Sequence, residues 1–241
     1  MEIHRATLDT CAQATGTVVV IDVLRAFTTA AFAFAAGAAD ITLVGAIEEA
    51  FALRERNPDL LLAGEVYGLP IESFDYGNSP SAFLDADLSG RRLVQRTSAG
   101  TQGVVRSQNA DTLLASSLCC ARATVDTIRR HPGAPITLVI TGARPDDPAD
   151  EDAACADYLE ALLTGQEPDR AEIVRRVRES QVAAKFLDPA DPRFPSADLD
   201  CAVDIDRFDF GLLVRRRKGQ LVMEPVRTRI GTSPGLRAEK Y

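Results

Sequence analysis

Thr17-Val18-Val19-Val20-Ile21-Asp22-Val23 is the stretch whose reading decides the fold. Its apolar run is unbroken and β-branched, which predicts a strand buried on both faces. A helix-like stretch, Leu24 to Ala36, follows and stops at Gly37, a natural residue to end a helix. Then come a strand at Ile41 to Val44, a helix at Ile47 to Arg56 ending before Pro58, and a strand at Leu60 to Ala63. This β-α-β-α-β order is the grammar of an α/β protein with parallel strands.

Working outward, residues 64–91 carry glycines and prolines throughout and read as a long loop with short structured pieces, a kind of segment that is often functional. Further strands are expected at Arg92 to Arg96, Thr112 to Leu118 and Ile136 to Thr141. Helices are expected at Ala121 to Arg130, Glu151 to Leu163 and Ala171 to Phe186. Residues 188–200, with Pro189, Pro192 and Pro195, read as a linker or surface loop. Phe210 to Arg215 and Leu221 to Val226 flank Lys218-Gly219 and predict a C-terminal hairpin. No repeat and no linker between self-sufficient halves is visible, so residues 1–241 are expected to form a single α/β domain.

Composition narrows the function. The 241 residues carry 27 Lys and Arg against 35 Asp and Glu, a net charge of −8. That argues against a nucleic-acid partner, which would call for a basic face. All of the excess sits in residues 144–169, where nine acids accompany the single base Arg144. No apolar run reaches the roughly 18–20 residues of a membrane span, and no export signal is seen. Five cysteines without a C-x-x-C pair fit a reducing cytoplasm. Self-association into a homo-oligomer stays open.

Three junctions share one form, a buried strand, polar residues and then a helix. They are Asp22 to Arg25, Arg96-Thr97-Ser98-Ala99-Gly100-Thr101, and Thr141 to Arg144 running on to Glu151-Asp152. In open α/β sheets ligands bind beyond the carboxyl ends of strands, where helix N-termini favour anions. Asp22 there is either a helix cap paired with Arg25 or a ligand of metal or water. Phe74-Asp75-Tyr76-Gly77-Asn78-Ser79-Pro80 is either a turn cluster or a polar site. Thr97 to Thr101 either caps a helix or cradles an anion, and Glu151-Asp152 either complements a helix dipole or helps hold a cation.

Several catalytic engines are absent. There is no G-x-x-x-x-G-K-[ST] and no G-x-G-x-x-G, and His4 and His131 are the only histidines. Cys201 and Arg207 match C-x5-R spacing, but Asp204 and Asp206 lie between them and would repel a phosphate. The same pair hints at an aspartyl-phosphate D-x-D, with Phe208 where Thr or Val belongs.

Taken together, the motifs resemble the 2-phosphosulfolactate phosphatase family. Val19 to Ala26 is similar to its V-x-I-D-V-L-R-A opening. Gly64-Glu65 with Phe74 to Pro80 resembles its G-E…F-D-x-G-N-S-P block, Thr97 to Thr101 its T-T-N-G-T segment, and Glu151-Asp152 its late E-D motif. The resemblance implies a three-layer α/β/α fold with a mostly parallel or mixed central sheet. It also implies a Mg²⁺-dependent phosphoric monoester hydrolase that converts 2-phospho-3-sulfolactate to 3-sulfolactate and phosphate, a step of coenzyme M synthesis. Asp22, Glu65 and Asp152 are then the catalytic candidates, and Asp22, Glu65, Asp75, Glu151 and Asp152 the candidate Mg²⁺ ligands. Arg25, Asn78, Ser79, Arg96, Thr97, Ser98, Gly100, Thr101 and Arg144 are candidates to bind the small anionic phosphorylated substrate. The chain departs from the pattern at Val66-Tyr67, at Ala99 in place of asparagine, and at Thr141 to Pro145. Two other readings are kept: a hydrolase or isomerase for another small phosphorylated or sulfonated acid, and a non-catalytic anion-binding protein.

Overall fold

The computed structural model of the chain describes residues 2–131, 135–142 and 149–227. Its strands are β1 (Ile3–Thr7), β2 (Thr17–Ile21), β3 (Asp40–Leu43), β4 (Leu61–Val66), β5 (Leu69–Pro70), β6 (Arg92–Arg96), β7 (Thr112–Ser116), β8 (Ile136–Ile140), β9 (Phe210–Arg217) and β10 (Gln220–Arg227). Its helices are α1 (Ala26–Ala35), α2 (Ile47–Arg56), α3 (Gly100–Arg106), α4 (Ala121–Arg130), α5 (Asp150–Leu163), α6 (Arg170–Glu179) and α7 (Ser196–Ala202). The strands form one mixed sheet in the order β1-β8-β2-β7-β9-β10-β3-β6-β4-β5. With helices on both faces it is a three-layer α/β/α fold.

The β2 run explains the layering. Val18 and Val20 enter one hydrophobic core and Val19 and Ile21 the other, as the period of two requires of a strand covered on both faces. The first core surrounds α1, in which every residue from Ala26 to Phe34 is buried. A helix apolar all round must be enclosed on all sides. Residues from β2, β3, β6, β7, β9 and β10 together enclose it. The second core lies under α4, α5, α6 and α7, and a smaller third core lies under α2.

Two parallel blocks compose the sheet. One is β1, β8, β2 and β7; the other is β3, β6 and β4. The β9–β10 hairpin joins them through three successive antiparallel pairings, so the blocks run in opposite senses. In a flat sheet their carboxyl ends would lie at opposite edges. Twist across the hairpin and the wrapping around α1 bring them to one place. The hairpin turns at Lys218 and Gly219, with φ of 50° and 80°, the left-handed pair that a two-residue turn needs.

Three expectations need correction. The stretch expected as one helix to Phe186 breaks at Ser180, and a short 3₁₀ turn, Ala183–Leu187, follows. The expected linker over 188–200 contains the start of α7, with Leu199 and Ala202 buried. β1 was not foreseen, because an edge strand with mixed exposure carries no apolar run.

Candidate active site

The candidate site is a cleft of about 270 Å³ where the two blocks meet. It is lined by the carboxylates Asp22, Glu65, Glu151 and Asp152 and by the polar residues Asn78, Ser98 and Thr141. Arg25, Lys185, Phe186 and Phe194, packed on one another, also line it. A larger cavity of about 550 Å³ lies between α2, β3 and β10. Its lining includes one carboxylate, Glu49, so it lacks the convergent acids of the smaller cleft. The small volume suits a small acid better than a drug-sized ligand, whose sites run to about 300–1,000 Å³.

Three of the four carboxylates are positioned by backbone donors. Asp22, one residue past β2, accepts from the Ala26 N–H at 2.9 Å. Asp152, in the first turn of α5, accepts from Val23 N–H at 2.7 Å and Gly142 N–H at 3.1 Å. It thereby ties the β2 and β8 ends together. Glu65 accepts from the N–H groups of Ser98 and Gly68, both at 2.5 Å. Gly64 sets up that strand: its φ is +147°, and a Cβ would sit 1.9 Å from the Arg96 carbonyl oxygen. Only glycine lets β4 pass β6 at this point.

Asp22 and Asp152 are buried close to other acids, which disfavours their charged forms. Burial pushes the Asp22 carboxyl up to about 7, and the charges of Glu65 and Glu151 add to the rise. Burial likewise raises Asp152 well above the carboxylate range, with Glu151 and Asp22 contributing. Asn78 Oδ1 is buried at the same cleft without a hydrogen-bond partner. Crowded carboxylates and an orphaned carbonyl oxygen are the donor chemistry that a hard divalent cation takes. Among the described residues, no three His, Cys, Asp or Glu side chains are disposed to hold a metal together. A cation here would therefore take one or two carboxylates and complete its shell with water or substrate oxygens, as Mg²⁺ does.

The other sequence candidates separate sharply. Gly100 packs against Asp22, and a Cβ on it would lie 2.8 Å from Asp22 Oδ2. Ser98 lines the cleft and its hydroxyl accepts from Tyr67 N–H at 2.8 Å. Arg25 lines the cleft, but its Nη1 is held by Asp198 at 2.7 Å and by the Arg193 carbonyl at 2.9 Å. Its guanidinium also packs on the Phe186 and Phe194 rings. Ser79, expected to meet substrate, donates instead to Asp198 Oδ1 at 2.7 Å. Arg96 bonds the carbonyls of Glu65 and Gly45, and Thr97 and Thr101 bond each other's backbone; none of the three lines the cleft. Asp75 is turned to Leu62 N–H and Arg54, away from the other acids. Arg144 lies outside the described residues, as do Asp146 and Asp147.

The acidity of the α5 region is also resolved. Asp150 and Asp157 pair with Arg176, Asp157 and Glu160 with Arg5, and Glu167 with Arg122; Asp169 caps α6. Among the described residues of that cluster, only Glu151 and Asp152 line the cleft. The C-x5-R and D-x-D signals dissolve as well. Arg207 pairs with Asp204, and Asp206 accepts from Tyr158, Arg122 and Arg170 in a structural knot.

Four residues escaped the sequence reading: Asp198, Lys185, Phe186 and Phe194. A signal existed for the first. Pro195 stands at the N-cap, and Leu199 and Ala202 follow at helical spacing. Three prolines nearby outweighed it.

A sheet with buried acids at its strand termini and a small cleft against a cationic, aromatic wall defines an α/β protein with a small-ligand site. The family profile described as 2-phosphosulpholactate phosphatase matches residues 3–190. A protein of Bacillus subtilis named "Probable 2-phosphosulfolactate phosphatase" is 35% identical over 182 residues, 75% of this chain and 79% of its own. One of the same name from Deinococcus radiodurans is 39% identical over 163 residues, 66% and 68% of the two chains. Another from Thermoplasma volcanium is 32% identical over 163 residues, 68% and 75%. The chain belongs to the 2-phosphosulpholactate phosphatase family.

Proposed function

We propose that the chain hydrolyses the phosphate monoester of 2-phospho-3-sulfolactate, releasing 3-sulfolactate and phosphate, with Mg²⁺ as cofactor. The observation that carries this reading is the crowding of Asp22, Glu65, Glu151 and Asp152 in one small cleft. Without a cation those acids would repel a substrate that carries three anionic groups. One or two of Asp22, Glu65, Glu151 and Asp152, with Asn78 Oδ1, would hold Mg²⁺, and water or substrate oxygens would complete its shell. Bound there, the ion would neutralise phosphate oxygens and acidify a water.

The chain's own groups do the rest. The Asp22 carboxyl, brought to about 7 in the metal-free cleft, can take a proton from water or return one to the leaving oxygen when it is not itself a ligand of the ion. Glu65 and Asp152, each locked by two backbone donors, orient what they bind without reorganising. Phe186 and Phe194 limit water in the cleft. The alcohol product would enter coenzyme M synthesis under this reading.

The test is phosphate release from 2-phosphosulfolactate with Mg²⁺ and then with excess EDTA. Metal-dependent release is expected. Release from many monoesters but not from this one would move the assignment to another small phosphorylated or sulfonated acid. Binding without any release would make the protein a non-catalytic anion binder.

A further inference from the structure

The lining of the cleft combines two chemistries. Four acids form one group, and Arg25, Lys185, Phe186 and Phe194, packed on one another, form the other. Arg25 is not available to a ligand's charge. Its guanidinium is buried, and Asp198, which is fully buried, takes it in an ion pair. Asp198 is itself saturated by Ser79 and Ser81. Lys185 is different. Its backbone is fixed by the 3₁₀ turn, whose Ala183 and Phe186 are buried, while its own side chain is exposed. Its ammonium lies 5.8 Å from the Phe194 ring centroid, a cation–π distance that orients the group without discharging it. Among the described residues Lys185 takes part in no ion pair.

We propose that Lys185 determines specificity by binding the anionic group of the substrate that is not transferred. This rests on the phosphatase reading of the cleft. A ligand whose phosphate lies among the acids has only the rest of this small cleft for its other end. Among the described residues lining it, Lys185 is the cation whose charge is not already taken. A substrate with a second anion, such as a sulfonate or carboxylate, gains a charge-assisted contact; a neutral monoester does not. Lys185 is thus a selector for small phosphate monoesters that carry a second anionic group, and it touches no reacting atom.

The experiment compares the wild type, Lys185→Met and Lys185→Arg in steady-state hydrolysis of 2-phosphosulfolactate and of p-nitrophenyl phosphate, which lacks the second anion. For Lys185→Met, KM for 2-phosphosulfolactate should rise about 10–100-fold, the range for losing a hydrogen bond to a charged group. Its kcat should stay within about threefold, because only uniform binding is lost. KM for p-nitrophenyl phosphate should not change, and Lys185→Arg should recover most of the loss. An equal rise for both substrates, or no rise for either, overturns the proposal. Calorimetric titration of 3-sulfolactate gives a readout independent of turnover. About tenfold weaker binding to Lys185→Met is expected, and equal binding or none to either protein overturns it. A wild type that binds 3-sulfolactate yet releases no phosphate would sink the proposed reaction while leaving the role of Lys185 intact.

Discussion

Arg25 and Asp198 form a buried ion pair, Nη1 to Oδ2 at 2.7 Å, across 173 positions of the chain. The pair pins α7 to the start of α1 and, through Ser79 and Ser81, holds the Asn78–Ser81 loop beside the cleft. One link thus joins a residue of the opening motif to a segment beyond the span that the family profile matches.

Removing one partner of such a pair strands a charge in a dry interior. Asp198→Ala should therefore lose about 3–5 kcal/mol of stability, readable as a fall in the urea midpoint. The double variant Arg25→Met, Asp198→Leu should lose distinctly less, because no charge is left alone. Equal losses would mean that Asp198 matters mainly through the serines.

The raised pKa of Asp22 makes a signed prediction about pH. Its folded-state value of about 7 lies above the ordinary 3.8. The associated stabilisation is complete below about pH 4 and is lost as pH rises through 7. Asp22→Asn keeps the acceptor for Ala26 N–H and removes that loss. In EDTA it should be more stable than the wild type at pH 8 by at least about 1 kcal/mol, several degrees in Tm, and no more stable at pH 4.

Gly64→Ala should fail at the strand, not in the chemistry. The substituted residue would meet the Arg96 carbonyl at 1.9 Å in a backbone region unfavourable to L-residues. The strain alone is worth about 1–3 kcal/mol, and the collision adds to it. Thermal unfolding should show the loss, and phosphate release should fall with it because Glu65 is the next residue.

Glu65→Ala and Asp152→Ala each delete a carboxylate that gathers backbone donors at the cleft. Each should lower kcat/KM for 2-phosphosulfolactate by about 100-fold or more while the far-ultraviolet spectrum stays native. Wild-type turnover in both would remove these acids from the mechanism.

A bound cation should also be visible without turnover. Mg²⁺ that binds the folded cleft raises stability by about 2.7 kcal/mol at 100 times its Kd. The rise in Tm should vanish in the Asp152→Ala variant and on adding EDTA.

How much of this was legible in the chain follows from the range of the forces involved. The uninterrupted β-branched run at 17–21 already required a strand covered on both faces, and the all-apolar α1 required an enclosing layer; local chemistry settles both. The strand–helix junctions carrying Asp22, Ser98 and Asp152 could be placed for the same reason, since the end of a buried strand is where a polar residue next meets solvent or a partner. Whether a polar residue there faces the cleft or satisfies its neighbours is decided elsewhere. Ser79 is spent on Asp198, Asp75 on Arg54, and Arg96 on two carbonyls, each through a partner distant in sequence. Sequence spacing contains no record of those partners. Nor does it reveal that two blocks of strands run in opposite senses, so that their carboxyl ends meet only because the sheet wraps around α1. The acids themselves were written in the chain. Their convergence, the basic and aromatic group that lines the same cleft, and the burial that lifts Asp22 toward neutrality belong to the tertiary structure, because desolvation and charge repulsion act through space.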